Sequence, residues 1–253
     1  MLQTIEHQDV REIRLDRPPV NALDPDLIQA LRSAIAAASS EGVAGLVLSG
    51  AAGRFSGGLD VPALLNLSRA DLRDTWANFF ALLSDLACAQ MPWAAALTGH
   101  SPAGGTVLAL YADQRIMSEG KFVIGLNEVQ VGLAVPEFLY RALRHVVGSR
   151  EAHRLAITGL LIDPAEALRV HLVDQLTTSE QVIPTAIEWM HELLRRPRKA
   201  MLQTRQLARQ ELREAFTSVN DALVDETVEQ WFSAETQATL HKLASRLGKA
   251  KPV

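Results

Sequence analysis

Residues 93–106 read WAAALTGHSPAGGT, a short apolar run that leads into a turn rich in glycine. The run Trp93–Leu97 carries no charge and is bounded by turn residues, which is typical of a strand covered on both faces. The same order occurs earlier, where Gly45–Leu48 precedes the segment SGAAGRFSGGLD, residues 49–60. Both turns lead toward helical patterns. Two units of strand, glycine turn and helix predict an α/β fold.

Helical spacing dominates the segments on either side of these units. Asp24 suits the N-cap of a first helix, with proline directly after it, and Gly42 ends that helix. From about Pro184 onward the pattern is again helical, with a break at 195–199 and a last amphipathic helix at roughly 235–247. We therefore expect a helical C-terminal region.

Composition excludes several classes of function. The 253 residues are 48% hydrophobic and 21% charged, which is typical of a folded globular protein and not of a disordered chain. The net charge of −4 supplies no field that would gather nucleic acid. Cys88 is the only cysteine, which excludes an internal disulfide, and the histidines show no metal-ligand spacing. We expect neither a metal nor a nucleic-acid partner.

The first residues, MLQTIE, lack the basic start and apolar stretch of an export signal, so a reducing, cytoplasmic location is expected. Residues 86–112 contain no acidic or basic residue apart from His100 and are long enough to cross a bilayer. Pro92, Pro102 and the glycines between them would leave unpaired backbone facing lipid. This stretch therefore predicts a buried strand, turn and helix, with no membrane partner.

A glycine turn that opens a helix aims backbone N–H groups at an anion, and three anions are candidates. A nucleotide phosphate is disfavoured, because neither phosphate-binding glycine fingerprint occurs in the chain. The oxyanion of a serine hydrolase is a second possibility, since Ser101 lies in GHSPA, one residue away from the nucleophile motif G-x-S-x-G. Pro102, however, has no N–H to donate. The third anion is a thioester enolate, which needs two N–H donors and a base.

Three motifs carry a resemblance to a known family: FSGGLDV at 55–61, SPAGG at 101–105 and IGLNEVQVG at 124–132. In their order and spacing the chain resembles the enoyl-CoA hydratase/isomerase (crotonase) superfamily, and most of all its mitochondrial-type Δ3,Δ2-enoyl-CoA isomerases. The resemblance runs from residue 17 to the last helix. It implies a crotonase, ClpP-like spiral of ββα units at 1–195 and a helical C-terminal region at 196–253 that serves for cover and oligomerisation.

The resemblance also implies roles for particular residues. Leu59 and Gly104 would supply the two N–H groups of an oxyanion hole, and Glu128 would be the acid/base. The path of the acyl-CoA thioester would be lined by Gly57, Gly58, Leu59, Asp60 and Val61, with Gly104 and Asn127 completing the substrate-binding set.

One position favours isomerisation over hydration. The hydratases of this superfamily use two glutamates, and the position of the first is occupied here by Val107, which cannot titrate. Glu128 alone can move a proton between two carbons. Glu137 is a second nearby acid, for which we favour a solvent-facing position; if it enters the site, hydratase chemistry stays open. A non-catalytic acyl-CoA-binding relative remains an alternative of another class, but the presence of Glu128 argues against it.

The resemblance implies an acyl-CoA substrate of fatty-acid beta-oxidation, with coenzyme A as part of the substrate and no separate cofactor. Basic residues should meet the CoA phosphates, and the candidates are Arg17, Arg54, Lys121 and the cluster at 195–199. Phe232 and the last helix resemble the family element that covers the ligand, and the resemblance implies a homotrimer or hexamer.

Overall fold

The computed structural model describes residues 1–247 and consists of two β-sheets surrounded by helices. The larger sheet has the strand order β1-β2-β3-β5-β7-β9 and is parallel except for the β1–β2 hairpin. Its strands are β1 (Leu2–His7), β2 (Val10–Leu15), β3 (Gly45–Ser49), β5 (Trp93–Leu97), β7 (Gln114–Ser118) and β9 (Gln175–Thr177). Every residue of β3 and β5 is buried, as their uncharged sequences predict.

The smaller sheet is parallel and positions the candidate site. Its order is β4-β6-β8, formed by β4 (Gly53–Arg54), β6 (Gly99–Pro102) and β8 (Ile124–Gly125). Glycine is required at Gly99, because a Cβ there would lie 2.0 Å from the backbone carbon of Gly53. Because these three strands are short and parallel, the turns that follow them lie at one edge of the smaller sheet.

Three pairs of strands, β3–β4, β5–β6 and β7–β8, contribute one strand to each sheet and are each followed by a helix, which is the ββα repeat that the resemblance implies. The helices of this part are α1 (Pro25–Ser40), α2 (Val61–Leu64), α3 (Arg69–Ala87), α4 (Gly104–Ala109), α5 (Glu137–Thr158) and α6 (Pro164–Arg169). Helix α1 begins as predicted, since the Asp24 side chain accepts a hydrogen bond from the Leu27 N–H at 2.8 Å. Gly42, with φ +72°, follows its end.

The C-terminal part is helical, as predicted. Its helices are α7 (Val182–Leu194), α8 (Arg198–Ala208), α9 (Gln210–Glu214), α10 (Asp221–Trp231) and α11 (Ala234–Leu247). The break expected at 195–199 separates α7 from α8. Helix α7 covers one face of the larger sheet, and α10 packs on α3. The division into domains at residue 195 stays a prediction. The last six residues of the C-terminal region, 248–253, lie outside the described part of the chain.

Candidate active site

The three motifs singled out in the sequence follow the three strands of the smaller sheet. Residues 55–61 come after β4, residues 103–105 after β6, and residues 126–128 after β8. Because the carboxyl ends of parallel strands meet at the same edge of a sheet, the fold brings these segments together. They line one cavity of about 250 Å³.

The Leu59 N–H is one exposed backbone donor at this edge. An isolated bridge holds the turn in place: the Leu23 N–H donates to the Gly58 carbonyl at 2.7 Å, and the Asp60 N–H donates to the Leu23 carbonyl at 2.9 Å. Both bonds use groups flanking Leu59, so its own N–H points away from Leu23. Within residues 1–247 no protein group accepts a hydrogen bond from it.

The Gly104 N–H is the second donor, at the first residue of α4. Ala103 before it adopts φ +48°, a strained conformation for a residue with a side chain, and turns the chain into the helix. Like other N–H groups in the first turn of a helix, that of Gly104 has no intrahelical acceptor, and no other described residue accepts from it. It also carries the positive end of the helix dipole.

The two donors are neighbours because the turns touch. A Cβ placed on Gly104 would lie 3.2 Å from the Gly58 Cα and 3.4 Å from the Gly58 carbonyl carbon. Standard bond lengths then place the Leu59 and Gly104 nitrogens within about 7 Å of each other. Two N–H groups hold a single oxyanion when their nitrogens are no more than about 6 Å apart, and this upper bound includes that arrangement.

Glu128 lies on the same cavity, at the start of a 3-10 helix (Glu128–Val131). Its Oε2 atom is buried and has no hydrogen-bond partner among the described residues. Loss of hydration raises the pKa of this carboxyl from 4.5 to about 7, because burial disfavours the charged form. A carboxylate in such surroundings can accept and return a proton near neutral pH.

Residues 1–247 contribute a single titratable side chain to the cavity wall. Val107, which the resemblance matches to the first glutamate of the hydratases, lines the cavity and is 1% exposed. Among the described residues that line the cavity, Glu128 alone can titrate. The other lining residues are apolar or neutral. This surface therefore offers one acid/base group and two backbone donors.

The remaining substrate-binding candidates divide into two groups. Gly57, Val61 and Asn127 line the cavity. Gly58 and Asp60 do not line the cavity. Gly58 packs against the turn at Ala103 and Gly104, and the Asp60 carboxylate accepts a hydrogen bond from the Ala63 N–H, which caps α2. The substrate-binding role given to these positions stays a prediction.

The candidates for binding CoA phosphates differ in their availability. Arg17 forms ion pairs at 2.8 Å with both Asp24 and Asp60, so its charge is already paired within the protein. Arg195 pairs with Glu192 at 2.6 Å on the surface. Lys121 is exposed. Among residues 1–247, no carboxylate forms an ion pair with Lys121, with Arg54, or with the other basic residues of the cluster, which are Arg196, Arg198 and Lys199.

Glu137 faces solvent, as we favoured. Its carboxylate pairs with Arg141 at 2.6 Å on the exposed side of α5 and does not line the cavity. His100 packs edge-on against Phe122, and their ring centroids are 5.2 Å apart. Both residues therefore have structural explanations.

Ser101 does not have the surroundings of a nucleophile. The residue is fully buried, and its hydroxyl donates to the Gly99 carbonyl at 3.0 Å. A hydrolase needs a histidine within hydrogen-bond reach of the serine, and no histidine of residues 1–247 bonds to Ser101. Among the described residues, the serine-hydrolase alternative therefore lacks the contact between serine and histidine that it needs.

Sequence reasoning missed most of the cavity wall. Helix α3 supplies Trp76, Phe79 and Phe80, α10 supplies Trp231, and α11 supplies Leu240. The apolar periodicity of α3 could have indicated a buried face, but a pattern on one helix does not reveal which distant helices meet it. Phe232, the aromatic residue noted in the sequence, lies outside the cavity wall and packs under Arg69.

Residues 1–247 contain no cluster of three or more histidine, cysteine or acidic side chains that could hold a metal ion. None of their helices combines the length and apolar character needed to cross a membrane.

Comparisons with known proteins find matches in one family. The profile of the family described as "Enoyl-CoA hydratase/isomerase" matches residues 6–244. The human mitochondrial enoyl-CoA delta isomerase 1 is 31% identical over 245 residues, which cover 96% of this chain and 81% of that protein. A probable enoyl-CoA hydratase of Mycobacterium avium is 33% identical over 192 residues, covering 74% of this chain and 73% of that protein.

A solved structure is similar over almost the whole length. The crystal structure of human mitochondrial delta3-delta2-enoyl-CoA isomerase superposes with a TM-score of 0.92 at 30% sequence identity. The match covers 98% of both chains.

Proposed function

The chain belongs to the enoyl-CoA hydratase/isomerase family, and from that premise we propose that it is a Δ3,Δ2-enoyl-CoA isomerase. The membership and the crotonase fold predicted from the three motifs are both confirmed. The family contains isomerases and hydratases, and relatives with both names match this chain. The proposal goes further and chooses the isomerase.

One observation carries the choice. Glu128 is the single titratable side chain on the described cavity surface, and Val107, which the resemblance matches to a second acid of the hydratases, is an apolar residue on the same surface. Hydration requires one group to activate water and another to deliver a proton. Moving a proton within the substrate requires only one group, which removes the proton from one carbon and returns it to another.

The proposed reaction begins with a 3-enoyl-CoA whose thioester oxygen accepts hydrogen bonds from the Leu59 and Gly104 N–H groups. The Glu128 carboxylate removes a proton from C2, and the electron pair moves onto the thioester oxygen as a dienolate. Glu128, now protonated, returns the proton to C4, and the double bond settles between C2 and C3. The step returns the same proton that it removes and leaves no net change in oxidation state, so it uses no cofactor. Coenzyme A takes part only as a portion of the substrate.

The pKa of Glu128 suits this cycle. A value of about 7 lets the same carboxyl act as base and then as acid near neutral pH. The two N–H donors are held by the backbone and need no rearrangement when charge develops. Removing one such donor typically costs about 2.7–4 kcal/mol of transition-state stabilisation.

The test supplies the protein with 3-enoyl-CoA and, separately, with 2-enoyl-CoA. An isomerase converts the first into the conjugated 2-enoyl product, which absorbs in the ultraviolet. A hydratase converts the second into a 3-hydroxyacyl product. Formation of the 3-hydroxy product at a comparable or higher rate would overturn the proposal in favour of hydration, and absence of both products would favour a non-catalytic relative.

Glu128→Gln identifies the base. It should abolish isomerase turnover and leave acyl-CoA affinity nearly unchanged, since glutamine keeps the size of the side chain. Glu137→Gln is the matched control, because its carboxylate is exposed and paired with Arg141. Full activity of Glu128→Gln would place the base elsewhere.

A further inference from the structure

The hydroxyl of Thr106 lies between the two chain segments that carry the proposed chemistry. Thr106 is the third residue of α4, two positions after the Gly104 donor, and is fully buried. Its Oγ1 atom accepts a hydrogen bond from the Gly125 N–H at 2.8 Å and donates to the Ser101 carbonyl at 2.5 Å. The Gly125 carbonyl, at 3.1 Å, is a second acceptor for the same hydrogen. One side chain therefore joins β6 and α4 to β8.

Each hydrogen-bond partner of this hydroxyl is close in sequence to a group of the proposed site. Ser101 precedes Gly104 by three positions, and Gly125 precedes Glu128 by three positions. A displacement of the Ser101 carbonyl or of the Gly125 N–H passes through only a short stretch of backbone before it reaches the donor or the base. The bridge therefore connects the position of the oxyanion donor with the position of the carboxyl.

The rest of the connection between these segments is made by the backbone. The Ser101 N–H donates to the Val123 carbonyl, and the Ala103 N–H donates to the Gly125 carbonyl, both at 2.9 Å. Among residues 1–247, Thr106 is the only side chain that hydrogen-bonds both to residues 99–105 and to residues 122–131. Its substitution can therefore change this connection without replacing any other residue of it.

The turn beside this bridge needs support from its neighbours. Ala103 adopts φ +48°, which is costly for a residue with a side chain and persists only where surrounding contacts hold it. The peptide groups of Gly125 provide such contacts, because its carbonyl accepts from the Ala103 N–H and its own N–H is held by the Thr106 hydroxyl. The hydroxyl thus supports the conformation that presents the Gly104 N–H.

Thr106 does not line the cavity, whereas the next residue, Val107, does. The hydroxyl is fully buried and already holds hydrogen bonds to the backbone on both sides. A ligand in the cavity therefore meets the groups that Thr106 holds and not Thr106 itself. Any effect of this residue on a reaction must act through the backbone.

We propose that Thr106 is a positioning residue, whose hydroxyl sets the separation between the Gly104 N–H and the Glu128 carboxylate. The inference rests on the proposed function and adds a residue to the same site. Glu128 has to come within about 3 Å of two carbons while the thioester oxygen stays on the backbone donors, so this separation has little tolerance. A displacement of about 1 Å at a reacting group can cost about 10²-fold in rate.

Thr106→Val tests the role of the hydroxyl, because valine has nearly the shape of threonine and makes no hydrogen bond. The kcat for 3-enoyl-CoA should fall about 10- to 10²-fold. KM should stay within about threefold, since every residue that lines the cavity is retained. Thr106→Ser keeps the hydroxyl and should restore most of the lost kcat. If Thr106→Val does not fold, Thr106→Ala, which also lacks the hydroxyl and introduces no methyl group in its place, carries the test.

Thr75→Val is the matched control. Thr75 is 4% exposed, and its hydroxyl donates to the Asp71 carbonyl within α3 at 2.7 Å. It does not line the cavity and contacts neither segment through this hydroxyl. Urea unfolding should show that Thr75→Val and Thr106→Val lose stability to a similar extent, because each removes one buried hydroxyl. Only Thr106→Val should lose kcat.

Three results would refute the inference while leaving isomerase activity established. They are an unchanged kcat in the folded Thr106→Val protein, an equal loss of kcat in Thr75→Val, and a Thr106→Ser protein as slow as Thr106→Val. The last result would mean that the residue acts by packing and not through its hydroxyl. A wild type that does not convert 3-enoyl-CoA would refute the proposed function and this inference with it.

Discussion

Replacing Glu128 with glutamine should stabilise the fold at alkaline pH while it removes activity. Among residues 1–247 the buried carboxyl oxygen Oε2 has no hydrogen-bond partner, and the one contact that favours the ionised form, with the backbone of Glu128 itself, does not offset the loss of hydration. Glutamine has nearly the same shape and stays neutral at every pH. The substitution therefore removes a charge that the folded state disfavours.

The size of the effect follows from the pKa. Burial raises the pKa of Glu128 from 4.5 to about 7, so between these values the folded state binds more protons than the unfolded state. Stability of the wild type therefore falls as pH rises through this window. At 1.36 kcal/mol per pKa unit, the loss reaches about 3 kcal/mol by pH 8, which corresponds to roughly 6–12 °C in Tm.

Urea unfolding of the wild type and Glu128→Gln at pH 5 and pH 8 measures this directly. The variant should be more stable by about 3 kcal/mol at pH 8 and by less than about 1 kcal/mol at pH 5. Glu137→Gln, at an exposed ion pair, should stay within about 0.5 kcal/mol of the wild type at both values. Lower stability of Glu128→Gln at pH 8, or a pH-independent difference, would mean that the carboxylate is solvated or paired.

Three further predictions concern activity. Because the ionised form of Glu128 is the base, kcat/KM for 3-enoyl-CoA should fall about tenfold per pH unit below about pH 7 and level off above it, whereas an acid limb near pH 4.5 would show a solvated carboxyl. Gly58→Ala should lower kcat about 10²–10³-fold in steady-state assays, because φ is +84° and the new Cβ would lie 3.0 Å from the Ala103 Cβ, displacing the donors; unchanged kcat would contradict this geometry. Ser101→Ala should cost about 1 kcal/mol of stability and keep kcat/KM within about twofold, while inactivation would restore the hydrolase alternative.

Local signals in the sequence predicted the parts of the fold that depend on near neighbours. The cap of α1 at Asp24 and the uncharged strands β3 and β5 follow from residue types within a few positions. The glycine turns followed in the same way, because a close approach such as that of Gly99 to Gly53 admits no side chain. These features needed no knowledge of the rest of the chain.

The surroundings of Glu128 were only partly predictable. Apolar residues lie next to Glu128 in sequence, but they do not all bury it, since Val129 among them is 38% exposed. The cavity on which Glu128 lies is also lined by side chains that are distant in sequence, such as Trp76 and Trp231. Pattern on a single helix fixes which face is apolar, whereas the choice of partner helix depends on the packing of the whole chain.

The ion pairs of Arg17 were also not predictable from the local sequence. Its sequence position made it a candidate for a phosphate, yet the fold pairs it with two carboxylates at 2.8 Å. The aspartates are 7 and 43 positions away, and only the bridge between Leu23 and Leu59 brings the second within reach. No local pattern encodes that encounter.

Helix α11 carries a consequence for the order in which the protein is made. Leu240, Leu243 and Leu247 on this helix complete the cavity, yet the ribosome adds them after every residue of the proposed chemistry. A chain that lacked α11 would leave the cavity without these three leucines. Enclosure of the proposed site therefore depends on the part of residues 1–247 that is synthesised last.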